Sequence, residues 1–311
     1  MQGLFYNTFY RVKQLKWSKT EALCHFIKGV ARELKIKLPI RFYKYEQNTK
    51  CKSMLAFYDK EKKCFNFNGI LLPDLSNDIE SLITLRCVFE DVLLFPVYYN
   101  DDYSKDFVKS VDKIMCDGPY GYTDELFDVK VKSGDVVIDA GAWIGDFSAY
   151  ASYKGATSYA FEPVESNYKL LCKTKDLNNN NIGKIIPVQS GLGDTVQEVV
   201  MCISNDSSIA YSIVTNNENN SQIYEQIKIT TLDSFVESNN IKKIDFIKAD
   251  IEGFERNLLL GAQKTLKKHA PKLAICTYHL PDDPEILEAI IKKANPQYKI
   301  VHLKNKLFAT I

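Results

Sequence analysis

Two carboxylates and two glycines stand at spacings that could hold a nucleoside. Asp139 follows the apolar run 136–138, and Gly141 and Gly145 come next in the pattern Asp-x-Gly-x-x-x-Gly. Glu162 ends the next apolar stretch, about 20 residues further on, where nucleotide-binding folds place an acid on ribose hydroxyls. The pattern therefore predicts a nucleoside ligand over the ends of two neighbouring parallel strands.

The glycine loop also discriminates between nucleosides. A dinucleotide site uses G-x-G-x-x-G so that the pyrophosphate can lie against a helix N-terminus, but here Trp143 stands where a further glycine would be. Asp139 and Asp146 suit a ligand with a positive centre, which favours S-adenosylmethionine over a nicotinamide or flavin nucleotide, or over a unit with no cofactor. The predicted cofactor-binding residues are Asp139, Gly141, Ala142, Trp143, Gly145, Glu162, Asp194 and Asp250.

Alternating strands and helices must position these residues. Val136–Ile138 is apolar on both faces, as a buried parallel strand requires, and Pro187 indicates that the third strand is an edge strand. An added strand pair is expected at 199–203 and 226–230, with a loop at 204–225. The closing hairpin completes an α/β, Rossmann-like seven-stranded sheet whose last strand is antiparallel. The predicted core strands are 136–139, 158–162, 185–189, 244–250, 272–277, 298–303 and 307–311.

The first part of the chain has a different pattern. Apolar spacing predicts a helix within 1–37, a strand at 40–46, a hairpin of 53–58 with 64–67, and a helix at 78–94. We therefore expect an α+β accessory region at 1–110 and a catalytic domain at 111–311. The accessory region could serve the substrate or a homo-oligomer contact. Tyrosine-rich turns at 98–103 and 117–122 could cover the cofactor or touch a polyhydroxylated substrate, or could be plain surface connections.

Composition excludes several classes of protein. A net charge of +1 gives no basic field for nucleic acid, and there is no apolar run that would span a bilayer and no signal-peptide pattern. The eight cysteines include no C-x-x-C pair, which argues against a zinc site and indicates reduced thiols. We expect a cytoplasmic protein that acts on a small molecule.

From about residue 117 to its end, the chain resembles the FkbM family of S-adenosylmethionine-dependent O-methyltransferases. Trp143 is a departure, because the family usually carries Asn there. The resemblance implies methylation of hydroxyl groups, often on sugars of surface polysaccharides or on polyketides. The matching segments are 137–142 with Gly145, 161–163, 192–194, 230–233, 248–255 and 278–279.

A hydroxyl acceptor benefits from a general base, by roughly 10²–10⁴-fold. Asp250 and Glu252 end the fourth strand and His279 ends the fifth, so all three reach the predicted site. His279 is the preferred base because imidazole titrates near neutrality, with Asp250 as the second catalytic residue. A purely structural His279 is the alternative. Asp250, Glu252 and His279 could instead bind a divalent metal, and Lys248 could pair with these acids.

Three further functions compete with O-methylation. An N-methyltransferase of nucleic acid would need an Asn/Asp-Pro-Pro-Tyr-like turn after the fourth strand, whereas Asn295-Pro296-Gln297-Tyr298 follows the last helix. A Rossmann oxidoreductase and a non-catalytic Rossmann interaction module are the other two. The acceptor that the resemblance implies is a sugar of a surface polysaccharide or its activated precursor.

Overall fold

A seven-stranded sheet carries the predicted site. The computed structural model describes residues 18–93, 119–203, 211–213, 223–303 and 305–311. Its strands are β1 (Tyr58–Asp59), β2 (Cys64–Phe67), β3 (Ile70–Pro73), β4 (Tyr122–Thr123), β5 (Asp128–Val129), β6 (Val136–Ala140), β7 (Thr157–Phe161), β8 (Lys184–Val188), β9 (Gly191–Leu192), β10 (Gln197–Ile203), β11 (Tyr211–Ile213), β12 (Ile223–Thr230), β13 (Phe246–Ala249), β14 (Lys272–Cys276), β15 (Lys299–Leu303) and β16 (Lys306–Thr310).

Helices connect and cover these strands. They are α1 (Lys19–Glu33), α2 (Ile40–Leu55), α3 (Ile79–Val88), α4 (Asp146–Tyr153), α5 (Glu165–Leu177), α6 (Leu232–Ser238), α7 (Glu255–Leu260), α8 (Gln263–His269) and α9 (Asp283–Ala294), with a π-helical turn at Phe89–Leu93. No helix of the described residues is both long and apolar enough to cross a membrane.

The order of the central sheet is β8-β7-β6-β13-β14-β16-β15. The first five strands of this order are parallel, and β16 is antiparallel to both of its neighbours. The predicted fold class is therefore confirmed, including the antiparallel last strand. Pro187 lies in β8, which is an edge strand, so the missing N–H of proline costs the sheet no hydrogen bond.

Successive residues of each core strand face opposite sides of the sheet, so two hydrophobic clusters form. Phe246 packs on one side, with its ring centroid 6.0 Å from that of Phe147 on α4. Ile247 belongs to the other cluster, with Leu258 and Leu259 of α7. Both faces are covered, as a parallel sheet requires, and the polar ends of the strands are left for the site.

A second sheet adjoins the site, in the order β11-β10-β12-β9. The predicted pair at 199–203 and 226–230 is confirmed as β10 and β12, which are antiparallel. The prediction of a continuous loop at 204–225 is wrong in part, because β11 lies within it and pairs with β10. The polar composition of this stretch gave no sign of the short strand β11, which forms because it pairs with β10.

The N-terminal described residues pack on the α4 side of the sheet. They share a hydrophobic cluster with α4 and α5, and the Asn178 side-chain amide donates to the backbone oxygen of Leu71 at 2.7 Å. The predicted strand at 40–46 is wrong: α2 begins there, after Pro39, because a short alternating aromatic run fits either period. The predicted boundary at 110/111 lies outside the described residues.

Candidate active site

The loop between β6 and α4 is held in a conformation that its glycines permit. Gly141 has φ of +74°, and a Cβ there would lie 2.0 Å from the backbone oxygen of Asp250. The N–H groups of Gly141 and Ala142 donate to the Phe161 oxygen at 3.1 and 2.9 Å. Trp143 follows in the left-handed region at φ +47°. The loop therefore links the ends of three neighbouring strands, β7, β6 and β13.

Glu162 follows β7 and is buried, with 5% of its surface exposed. Its Oε2 accepts from the backbone N–H of Trp143, and its Oε1 accepts from that of Val164, both at 3.0 Å. Burial raises the pKa of Glu162 to about 7, against the effect of these hydrogen bonds. Backbone donors thus orient a desolvated carboxylate that retains acceptor capacity for further donors.

Asp139 supports this loop from within the sheet. It is fully buried, and its carboxylate lies 3.1 Å from the Lys248 ammonium of the adjacent strand. Lys248 also donates to the Gly141 backbone oxygen at 2.7 Å. Burial would lower the pKa of Lys248, but Asp139, Asp250 and Asp146 raise it above its ordinary value. The sequence had predicted that Lys248 could pair with Asp250 or Glu252, whereas its ion pair in the structure is with Asp139.

A cavity of about 300 Å³ opens at this edge of the sheet, a size typical of small-ligand sites. Its apolar walls include residues of β9, β10 and β12. Three carboxylates line it, and no lysine or arginine does among the described residues. The lining residues are Gly141, Trp143, Phe161, Glu162, Pro163, Asn167, Gly191, Leu192, Met201, Ile227, Ile229, Asp250, Ile251, Glu252, Gly253, Phe254 and Leu280.

Asp250 follows β13 and is held by two tyrosines. The Tyr120 hydroxyl donates to Oδ2 at 2.6 Å, and the Tyr278 hydroxyl donates to Oδ1 at 3.0 Å. Burial would raise the pKa of Asp250, but the charges of Lys248 and Lys306 keep it below its ordinary value. Asp250 is therefore a fixed, ionised carboxylate in the cavity wall.

His279 lies directly behind this wall, with 9% of its side chain exposed. Its Nε2 is 3.7 Å from Asp250 Oδ1 and 3.5 Å from Glu252 Oε2, and its Nδ1 is 3.0 Å from Glu255 Oε1. Burial would lower the pKa of His279, but Glu255, Asp250 and Glu252 raise it overall. The structure therefore brings together all three residues that the sequence predicted for catalysis or for a metal.

Other predicted cofactor residues lie around the cavity and do not line it. Ala142 is buried, and Gly145 has φ of +86° and caps α4. Asp194 is exposed and outside the lining, so its role in cofactor binding stays a prediction. Of the predicted tyrosine turns, residues 98–103 and 117–118 lie outside the described residues, whereas Tyr120 reaches Asp250.

A metal site stays a prediction. Among the described residues, Asp250, Glu255 and His279 each offer a ligand atom within 4.8 Å of the others. The sequence had proposed Glu252 in place of Glu255. Glu252 is exposed and has φ of +55°.

Comparison with known proteins identifies the family to which the chain belongs. The Methyltransferase FkbM domain matches residues 139–298, which is more than half of the chain. The chain belongs to the FkbM methyltransferase family. It is a methyltransferase, and S-adenosylmethionine is its methyl donor.

The chain is also similar to several individual proteins. The hexuronic acid methyltransferase AglP of Haloferax volcanii is 27% identical over 177 residues, covering 56% of this chain and 68% of that protein. Methyltransferase 1 of Beauveria bassiana is 25% identical over 170 residues, covering 45% of this chain and 64% of that protein. The FkbM methyltransferase structure from Methylobacillus flagellatus has a TM-score of 0.49 and 18% identity, covering 92% of this chain and 70% of that chain.

The cavity fits this methyl donor. Glu162 has oriented oxygens that would receive ribose hydroxyls, and the apolar walls from Leu192 and Ile227 would face the base. The acidic lining is compatible with a sulfonium and would repel a pyrophosphate. Sequence reasoning missed Tyr278, Glu255 and Asn167 as parts of the site. Glu255 had a signal, since it lies in the family segment 248–255, but its buried contact with His279 depends on the tertiary structure.

Proposed function

We propose that this protein transfers the methyl group of S-adenosylmethionine to a hydroxyl of a sugar, most simply a surface-polysaccharide sugar or its activated precursor. The observation that carries the proposal is the imidazole of His279, whose Nε2 stands between Asp250 and Glu252 at the cavity wall. A sugar hydroxyl is a poor nucleophile at neutral pH, and a base at this position would remove its proton.

The contact distances leave Nε2 without a hydrogen bond. Separations of 3.5 and 3.7 Å from Nε2 to the two carboxylates are too long for direct hydrogen bonds, and this buried nitrogen has no other partner among the described residues. In the proposed complex, Asp250 and Glu252, which line the cavity, bind hydroxyls of the acceptor, and Nε2 receives the proton once acceptor binding displaces the side chains that cover it. Bound S-adenosylmethionine supplies the activated methyl carbon. The chain's own residues orient the acceptor and take its proton.

The relative named as a hexuronic acid methyltransferase adds a second argument for a sugar. A hexuronic acid has hydroxyls and a carboxylate, and only the hydroxyls need a base. The geometry around His279 therefore favours ether formation. Asp250 and Glu252 also disfavour a negatively charged group at that point of the cavity.

The test is a transfer assay on matched acceptors. Purified protein is incubated with S-adenosylmethionine and neutral hexoses, hexuronic acids, and their nucleotide-linked forms. S-adenosylhomocysteine and methylated sugar are then measured by mass spectrometry. Mild alkali distinguishes the products, because a methyl ester is cleaved and a methyl ether is not.

The expected result is an alkali-stable methyl ether, lost when His279 is replaced by Ala. An alkali-labile product would contradict hydroxyl methylation and would indicate carboxylate methylation. Transfer only to amines of nucleic acid would support the N-methyltransferase alternative.

The same assay with a chelator tests whether a metal takes part. Methyl transfer that is unchanged in EDTA supports His279 as the base. Methyl transfer that EDTA abolishes and Mg²⁺ restores supports a metal-assisted reaction.

A further inference from the structure

Glu255 forms the inner part of the His279 site and does not line the cavity. It is the first residue of α7, is fully buried, and accepts from the backbone N–H of Ile251 at 2.9 Å. The same oxygen, Oε1, lies 3.0 Å from Nδ1 of His279. Among the described residues, its other oxygen has no hydrogen-bond partner. Glu255 is therefore a buried carboxylate that has one backbone donor and, at 3.0 Å, the imidazole of His279 as a side-chain neighbour.

The two ring nitrogens of His279 face different surroundings. Nδ1 faces Glu255 inside the fold, whereas Nε2 faces Asp250 and Glu252 at the cavity wall. A neutral imidazole carries one proton, and the nitrogen opposite a buried acceptor is the one that keeps it. The contact with Glu255 is close but bent away from ideal hydrogen-bond direction, a geometry that commonly tightens once a substrate binds.

We propose that Glu255 is a positioning residue that keeps the proton of His279 on Nδ1 and so leaves the lone pair of Nε2 for the acceptor hydroxyl. This inference rests on the proposed function. In the step, the hydroxyl proton moves to Nε2 and the oxygen lone pair forms the bond to the methyl carbon. The electrons of the breaking carbon–sulfur bond stay on sulfur.

Charge supports the same assignment. The imidazolium formed in the step lies between three carboxylates, Glu255 on one side and Asp250 and Glu252 on the other. The Tyr278 ring packs against it with centroids 4.1 Å apart, and the lysines Lys248 and Lys306 lower the pKa of Asp250. Glu255 is thus the fully buried charge that faces Nδ1.

The decisive variant is Glu255→Gln. We expect kcat to fall at least about tenfold, but by less than the roughly 10²–10⁴-fold lost with the base itself, with the affinity for S-adenosylmethionine unchanged. Glu255 raises the pKa of His279. Replacing its carboxylate should therefore lower that pKa, and the acidic limb of the pH profile of kcat should move to lower pH. The double variant Glu255→Gln/His279→Gln is expected to be no slower than His279→Gln alone.

Glu288→Gln is the matched control. It removes the same charge beside His302, an exposed pair on α9 and β15 with Nε2 and Oε2 2.7 Å apart. In this variant we expect no change in kcat or in the acidic limb of its pH profile. A ¹⁵N spectrum of the unsubstituted protein gives a readout independent of turnover, and it should show His279 protonated on Nδ1 when neutral.

Each contrary result is separable from failure of the proposed function. If His279→Gln is inactive while kcat of Glu255→Gln falls at the same acidic pH as that of the parent, the inference about Glu255 is wrong. The assignment of His279 as the base is then unaffected. If Glu255→Gln unfolds, the tautomer in the parent decides, and a proton on Nε2 overturns the inference. Methyl transfer that needs a divalent cation, with His279 signals broadened by Mn²⁺, also overturns it.

Discussion

The two halves of the site are held by different kinds of partner. At the ends of β6 and β7, Glu162 is oriented by two backbone N–H groups. At the ends of β13 and β14, Asp250 and His279 are oriented by side chains from distant positions, Tyr120 and Glu255 among them. The cofactor half thus depends on loop conformation, and the acceptor half depends on tertiary packing.

This difference predicts that each half can be damaged without the other. Loss of a side chain in the acceptor half removes proton transfer but leaves the loop of Gly141 and Trp143 intact. Loss of Glu162 would remove the predicted ribose contacts and leave the imidazole and its carboxylates in place. The variants below test that separation.

The largest effect is expected for His279→Ala. Removal of the base should lower kcat by roughly 10²–10⁴-fold, while the dissociation constant of S-adenosylmethionine stays within about twofold. Steady-state turnover and calorimetry measure the two quantities. Full activity in this variant would contradict the assignment of the base, and lost cofactor affinity would show that the two halves are not separate.

Glu162→Ala should have the converse effect. Loss of two charge-assisted hydrogen bonds is expected to weaken S-adenosylmethionine about 10²-fold by calorimetry. The control is Glu165→Ala, since Glu165 is exposed, pairs with Lys169 at 2.6 Å and lies outside the cavity lining. Equal affinity in the Glu162 variant and the parent would remove the ribose assignment.

A pH dependence is expected from the same residue. The pKa of Glu162 is raised to about 7 by burial, so the carboxylate predicted to receive ribose hydroxyls is protonated as the pH falls through that value. The dissociation constant of S-adenosylmethionine should rise about tenfold from pH 8 to pH 6. Asp146 titrates in the same range, so the variant Glu162→Gln is needed to show which of the two groups is responsible. In that variant we expect the dissociation constant of S-adenosylmethionine to be independent of pH.

The smallest effect is expected for Tyr278→Phe. Asp250 loses the donor at 3.0 Å but keeps Tyr120 at 2.6 Å, so kcat/KM should fall only about fivefold. Tyr153→Phe, equally exposed at 40% and remote from the cavity, is the control. A loss as large as that of His279→Ala would indicate that Tyr278 contacts the acceptor itself.

Sequence patterns predicted most of the central sheet because its strands are short, mainly apolar runs, several of which are followed by a glycine or an acid. They failed where a segment's conformation depends on a neighbour. Residues 40–46 alternate as a strand would, yet they begin α2, whose buried residues Cys51 and Met54 come later in the helix. Likewise, β11 exists through its pairing with β10, which the composition of 204–225 does not reveal.

The sequence by itself determined the cofactor half, because residues close together in the chain set it: a strand end, a glycine loop and the acid that ends the next strand. Only the tertiary structure decided the acceptor half. Tyr120, Asp250, Glu255 and His279 come from separate elements, and no local spacing encodes which of their atoms meet. Parallel strands bring such residues to one edge of the sheet, but burial and packing choose the partners.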